Sequence, residues 1–211
     1  MASLRIARAE PNREHLEVIL RLIEDARSWL WTKRTSMWET PWPDRERRDA
    51  RVLAGLGRGK TWIVWAEDLA VATVTISTRA NPDIWKGPAC TCDLSERAVY
   101  VHRLITARRF AGWGLGAELI DWAGLRGQNA YGAKWIRIDV WSSNRALHEY
   151  YLSKGFMRCG SCSDPNYSPS GALFQKRVPD IVIPVSPLFT ESEDAHYGDS
   201  CHPPRGMAAV R

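Results

Sequence analysis

Residues 98–124 read AVYVHRLITARRFAGWGLGAELIDWAG, and residues 136–156 read IRIDVWSSNRALHEYYLSKGF. The first stretch opens on a β-like run, Ala98–Ile105. It passes through a basic segment with Arg108 and Arg109, then reaches Gly112-Trp113-Gly114-Leu115-Gly116. An amphipathic helical pattern starts there and runs to about Gly127. Glycines leave backbone N–H groups bare, and a helix N-terminus aims them outward with a partial positive charge. This order of strand, glycine turn and helix suits a phosphate-bearing ligand.

Outward from this stretch, Trp135–Trp141 reads as a strand, Asn144–Lys154 as a helix, and a strand follows Gly155. A last strand is expected near Ala172–Val178. Upstream, Leu4–Ala9 reads as a strand and Asn12–Trp31 as a helix, with Leu16, Ile19, Leu20, Ile23 and Leu30 near helical period. Pro41, Pro43 and Asp44 mark a turn and a second helix to about Leu56. Thr61–Glu67 and Val71–Ser77 read as a hairpin turning at Asp68-Leu69. Residues 78–97, with Asn81, Pro82, Gly87 and Pro88, read as a loop. Alternating strands and helices on a mixed sheet make an α/β domain over residues 1–185. Residues 186–211, with an acidic cluster and few periodic apolar positions, read as a loosely ordered tail.

Three glycine motifs compete for a phosphate. Ala54-Gly55-Leu56-Gly57-Arg58-Gly59-Lys60-Thr61 nearly spells a P-loop, but its first glycine is Ala54 and its context runs helix-to-strand rather than strand-to-helix. Nucleotide hydrolysis is therefore excluded, and these glycines are a helix stop. Gly112-x-Gly114-x-x-Ala117 with Asp139 downstream matches a dinucleotide fingerprint in letters. Residues Thr106–Ala111 separate the strand from the first glycine, where the fingerprint needs a tight turn, so this reading also falls.

The third reading fits in order. Strand, basic loop, Ala111-Gly112-Trp113-Gly114-Leu115-Gly116, helix, strand, Asn144 and Tyr151-x-x-x-Gly155-Phe156 together resemble the GNAT superfamily of acetyl-CoA-dependent N-acyltransferases. The resemblance covers residues 3 to about 178. It looks closest to members with Y-x-H-R-L and A-G-x-G-L-G strings. It implies a mixed central sheet flanked by helices and acetyl-CoA as co-substrate. Ala111, Gly112, Trp113, Gly114, Leu115 and Gly116 then hold the diphosphate. Leu104, Ile105 and Thr106 offer backbone to the pantetheine arm, and Asn144 and Tyr151 also contact the coenzyme. The family loop usually begins with Arg or Gln where this chain has Ala111; the nearby Arg108 and Arg109 are candidates to supply the missing charge, and weaker coenzyme affinity is the alternative.

Tyr151 is the candidate general acid for the departing thiolate; the competing reading is a tyrosine packed at a helix C-terminus, which Tyr150 fits better. Asn144 directly precedes a helical run and also suits a helix cap. His102 is the candidate base, two residues from Leu104 and so expected on the same strand face, which Tyr100 shares. Glu96 and Asp93 are alternatives, and a buried sheet histidine is the structural reading of His102. Trp29, Trp31, Trp38, Trp42 and Trp85 lie in regions that wall the acceptor site in the resembled family, where aromatic faces attract alkylammonium groups. Most of the eleven tryptophans are otherwise core filler.

The net charge of +5 comes with mostly arginine and no basic stripe interleaved with aromatics, so nucleic acid is not the expected partner. No stretch is long and apolar enough for a membrane span, and the charged N-terminus lacks a signal-peptide core. A cytoplasmic location is the expectation. Cys90-x-Cys92 and Cys159-x-x-Cys162 admit a minority reading as a zinc site, with reduced thiols as the alternative. The function expected is acetyl transfer to a primary amine of a small molecule or peptide. The alternative is a non-catalytic acyl-CoA-binding module. The resemblance also allows a homodimer.

Overall fold

The β-branched, alternating runs of the chain become the strands of one mixed sheet. The computed structural model describes residues 3–33, 44–162, 170–183 and 187–192. In chain order the elements are β1 (Leu4–Arg8), α1 (Arg13–Thr32), α2 (Arg45–Gly57), β2 (Thr61–Ala66), β3 (Leu69–Ser77) and α3 (Pro82–Trp85). They continue with β4 (Ala98–Thr106), a short 3-10 turn (Arg108–Phe110), α4 (Leu115–Tyr131) and β5 (Trp135–Trp141). α5 (Arg145–Ser153), β6 (Met157–Ser161), β7 (Ser170–Arg177), a second 3-10 turn (Val178–Asp180) and β8 (Phe189–Glu191) complete the order. The strand order is β6-β7-β5-β4-β3-β2-β1-β8, with β4–β5 and β1–β8 parallel and the other pairs antiparallel. The α/β class with a mixed, helix-flanked sheet is as expected. Among the described residues no helix is long and apolar enough to cross a membrane.

Side chains from the two sheet faces enter different clusters. On one face Leu115, Leu119, Ile120 and Ala123 of α4 and Tyr151 of α5 pack on Val99, Val101, Ile136, Ile138 and Phe174. On the other, Ile19 and Leu22 of α1 and Leu56 of α2 pack on Ile63 and Ile105. Further along that second face Trp85 covers Tyr100 and Leu173.

Where α4 crosses β4, Gly127 lets the helix touch the sheet: a methyl group there would collide with Val99 Cγ1. Alanine favours a helix over glycine by about 1 kcal/mol, but overpacking a rigid core costs roughly 1–3 kcal/mol. Val99 is fully buried on a central strand, so the clash should win. Gly127→Ala is expected to destabilise the fold by about 1 kcal/mol in urea denaturation. Adding Val99→Ala should cost less than the two single losses summed, because each change relieves the other.

One irregularity shapes everything downstream. β4 pairs with β5 only at Ala98↔Trp135, Val99↔Ile136 and Tyr100↔Arg137, although both strands continue well past these pairs. Arg103 has φ +46, and the register with β3 slips between Thr75↔His102 and Thr73↔Ile105. Three steps on β4 thus face two on β3, which is a β-bulge. β4 bends there, and among the described residues its edge from residue 101 onward has no strand partner on the β5 side.

Three sequence expectations need correction. Residues 78–97 contain the short helix α3, capped by Asn81 accepting from the Asp83 N–H. The second expected helix boundary also moves, since α4 starts at Leu115 after a 3-10 turn rather than at Gly112. The segment read as a loose tail contributes β8: Phe189 is buried, edge-on to Trp122, and Glu191 accepts from the Trp122 Nε1–H at 3.1 Å and pairs with Arg126. Three residues are too short to show a strand period, so burial of one aromatic and a carboxylate contact hold this strand. Residues 193–211, with Cys201, His196 and His202, lie outside the described residues.

Candidate active site

The glycine loop forms an open cradle of peptide donors. Gly112 and Gly114 have φ +86 and +84, a conformation that side chains rarely tolerate. A Cβ built on either meets no atom within 4 Å, so both face open space. Gly114 is the N-cap of α4, and its carbonyl accepts from Ala117 and Glu118 at 3.0 and 3.1 Å. Among the described residues the N–H groups of Gly112, Gly114, Leu115 and Gly116 find no carbonyl partner. Four donors at the positive end of a 17-residue helix fit a diphosphate. Ala111 precedes them in an extended conformation, and Trp113 stands half exposed, edge-on to Phe110. The Arg108 guanidinium lies 4.0 Å over the Trp29 ring and so ties α1 to the loop. Arg109 lies 5.4 Å over Phe110. Neither is paired with a carboxylate among the described residues, which leaves both charges available to an anion.

From this cradle the open edge of β4 leads along Thr106, Ile105 and Leu104 to the bulge. The bulge overturns one expectation. His102 does not share a face with Leu104: Leu104 packs with the α4 cluster, whereas His102 lies on the face of Tyr100. The extra residue, Arg103, breaks the period-two alternation between them. His102 instead meets a partner the sequence reading had set aside. Its Nδ1 is 3.5 Å from Asp139 Oδ1, and both side chains are largely covered. These two residues flank the point where β4 and β5 part.

The other candidate bases are engaged elsewhere. Glu96 accepts from Trp135 Nε1 at 2.6 Å and Lys134 Nζ at 3.3 Å, and these bonds hold its carboxyl below the usual range. Asp93 accepts from the Ser95 hydroxyl at 2.6 Å and the Ser95 N–H at 2.9 Å, with the same effect. A depressed carboxyl is a weaker base. Below them Arg137, fully buried, donates to Tyr100 OH at 2.9 Å, the Asp93 carbonyl at 2.6 Å and Gln175 Oε1 at 3.4 Å. It clamps the 93–96 loop to the sheet.

Asn144 caps α5, its Oδ1 accepting from the Leu147 N–H at 3.1 Å. Tyr151 is buried between Phe156 and Tyr150, each edge-on at 5.4 Å. Burial first, then Tyr150 and Asp139, push its phenol well above the ordinary value, so it keeps its proton. Among the described residues its hydroxyl has no hydrogen-bond partner. Tyr150 was read as mere packing, yet its hydroxyl lies 3.6 Å from a Cβ built on Gly116, beside the cradle. The side-by-side tyrosines gave no signal for this.

The aromatic wall is partly dismantled. Trp85 is buried edge-on to Tyr100 at 5.2 Å, so it is core rather than wall. Trp31 is 69% exposed, and Trp29 supports Arg108. Trp38 and Trp42 lie outside the described residues. The two cysteine pairs do converge. Thr91 donates from both N–H and hydroxyl to the Cys159 carbonyl at 2.8 and 2.9 Å, and Cys90 bridges to Gly160. A thiol contact with Cys159 and burial push Cys92 upward, which opposes the thiolate that zinc requires. Among the described residues no three ligands are placed to hold a metal, and Cys90, Cys92, Cys159 and Cys162 are free thiols.

Comparison with known proteins shows the family and the fold. The model of the acetyltransferase (GNAT) family matches residues 23–156. An uncharacterized N-acetyltransferase of Bacillus subtilis (strain 168), YesJ, is 29% identical over 165 residues, covering 78% of this chain and 86% of the relative. A GNAT-family acetyltransferase from Listeria monocytogenes 4b F2365 shares the fold at a TM-score of 0.63 and 21% identity, over 82% of this chain and 93% of its own. The PaiA N-acetyltransferase of Thermoplasma acidophilum, solved in complex with coenzyme A, does so at 0.61 and 16%, over 83% and 99%. With the family model covering well over half of its length, the chain belongs to the GNAT acetyltransferase family.

Proposed function

We propose that this protein transfers an acetyl group from acetyl-coenzyme A to a primary amine by direct attack in a ternary complex. The observation that carries the reading is the four-donor cradle at the end of a β4 edge that parts from β5, with Asp139 beside His102 at the split and also acting on Tyr151. The coenzyme supplies an activated thioester. The N–H groups of Gly112 to Gly116 hold its diphosphate, and Arg108 and Arg109 add charge-assisted contacts. The open edge at Leu104, Ile105 and Thr106 accepts the pantetheine arm as an added strand.

The chain then manages two protons. His102 takes one from the amine as its lone pair forms the new N–C bond. Tyr151 gives one to the sulfur as the C–S bond breaks. Asp139, beside His102, stabilises the imidazolium that results. The raised phenol keeps its proton at neutral pH but is a weaker acid, so it hydrogen-bonds the sulfur and transfers the proton only as the thiolate charge develops.

The test is amine-dependent release of coenzyme A thiol, with the N-acetyl product counted by mass spectrometry. One thiol per acetylated amine is expected. His102→Ala should lower the rate about 100-fold, the usual range for a lost general base, while coenzyme A is still retained. Tight coenzyme binding with no release to any amine would instead identify a binding module.

A further inference from the structure

Arg103 is the least accounted-for charge in the described chain. It stands at the bulge with a left-handed backbone, a strained state that persists in folded proteins mostly at functional positions. Its guanidinium is tucked between β3 and α2. It donates only at the limit of hydrogen-bond range, Nη1 to Thr75 Oγ1 at 3.4 Å and Nη2 to the Arg51 carbonyl at 3.5 Å. α2 passes over it at Gly55, where a built Cβ would lie 3.5 Å from Nη1. Among the described residues no carboxylate pairs with it. The charged groups acting on it are Arg51 and Arg58, both of its own sign, and burial and these two cations pull it down to about 10. A partly covered cation with only like charges beside it is unfavourable, so it favours an anion.

The position of that anion relative to the chemistry is set by the sheet. Thr75 contacts the guanidinium and is also the cross-strand partner of His102. Side chains paired in this way stand about 5 Å apart at Cβ. Arg103 and His102 therefore flank one threonine on one sheet face, and neither is fully buried. On the far side of His102 lies Asp139. The line Asp139–His102–Thr75–Arg103 is negative at one end and positive at the other.

We propose that Arg103 binds an oxyanion carried by the acceptor, so that the acceptor is an amine bearing a carboxylate or phosphate group. The ammonium end lies toward Asp139 and loses its proton to His102, and the oxyanion end lies against Arg103. A planar guanidinium offers two parallel donors to either kind of oxyanion. The claim rests on the acyl-transfer reading and adds the substrate class to it.

The experiment compares amine pairs that differ only in the anion: O-phosphoethanolamine with ethanolamine, and β-alanine with β-alaninamide. In the wild type the anionic member of at least one pair should have a kcat/KM tenfold or more above its neutral partner; which pair responds tells phosphate from carboxylate. In Arg103→Gln that ratio should fall toward one, chiefly through KM, and Arg103→Lys should keep part of it. A ratio near one in the wild type, or one unchanged by Arg103→Gln, overturns the proposal. A second arm needs no turnover. With coenzyme A saturating, so that the cradle is filled, inorganic phosphate at constant ionic strength should raise the melting temperature of the wild type and not of Arg103→Gln. An equal rise in both means an adventitious ion only and also overturns it. If no amine releases thiol but the phosphate effect depends on Arg103, the oxyanion site stands and the acyl-transfer reading falls. If neutral and anionic amines are acetylated equally, the reverse holds.

Discussion

Gly114→Asp is expected to abolish retention on immobilised coenzyme A, with at least a 100-fold loss of affinity by calorimetry. The variant should fold. Aspartate tolerates a left-handed backbone better than most residues, and a carboxylate at a helix N-cap stabilises the helix. Both traits make it a clean probe. The new carboxylate would bond the N–H groups of the first turn, the same donors that the cradle leaves open. It would also place a negative charge against a diphosphate. At 4 Å and an effective dielectric of 20, two such charges repel by about 4 kcal/mol; screening at this exposed site reduces that to about 2 kcal/mol, roughly 30-fold, and the donors taken up by the new carboxylate carry the loss to about 100-fold. Gly114→Asn keeps the shape without the charge, so its loss should be about tenfold or less. Affinity in Gly114→Asp equal to that of the wild type would remove the cradle from the coenzyme site.

Tyr151→Phe should lower kcat about 100-fold and leave the KM for acetyl-coenzyme A within twofold, as expected for a general acid that acts only in the transition state. The change is nearly silent in the fold. Among the described residues the hydroxyl makes no hydrogen bond, so its removal leaves no partner unsatisfied. The ring keeps its contacts with Phe156, Tyr150 and Phe174. An unchanged melting temperature with a collapsed kcat is thus the expected pair of results. Tyr150→Phe is the comparator. Its hydroxyl stands by Gly116, so its loss should raise KM more than it lowers kcat. A Tyr151→Phe enzyme with wild-type kcat would leave the thiolate without this donor.

Much of this was legible from local pattern. The helix caps at Asn12, Asp44 and Asn144 are side chains that accept from N–H groups three residues on, a purely local geometry. The glycine cradle is local too, since only glycine occupies φ above +80° at low energy in two positions out of three. The face of His102 was misread because period two assumes an unbroken strand, and nothing in the letters VHRLI announces a bulge. Trp85 was misplaced because a four-residue helix has no period to detect. β8 escaped because its stability comes from Trp122 and Arg126, more than sixty residues upstream.

The amino-acid order alone therefore determined the alternation of strands and helices, the glycine turn at the mouth of α4 and the family they belong to, because each follows from patterns within a few residues. Which charges face one another was left to the folded chain. Asp139 reached His102, and Arg103 was left among arginines, only when β4 bent at its bulge and parted from β5, because these contacts join residues far apart in the chain that no local pattern relates.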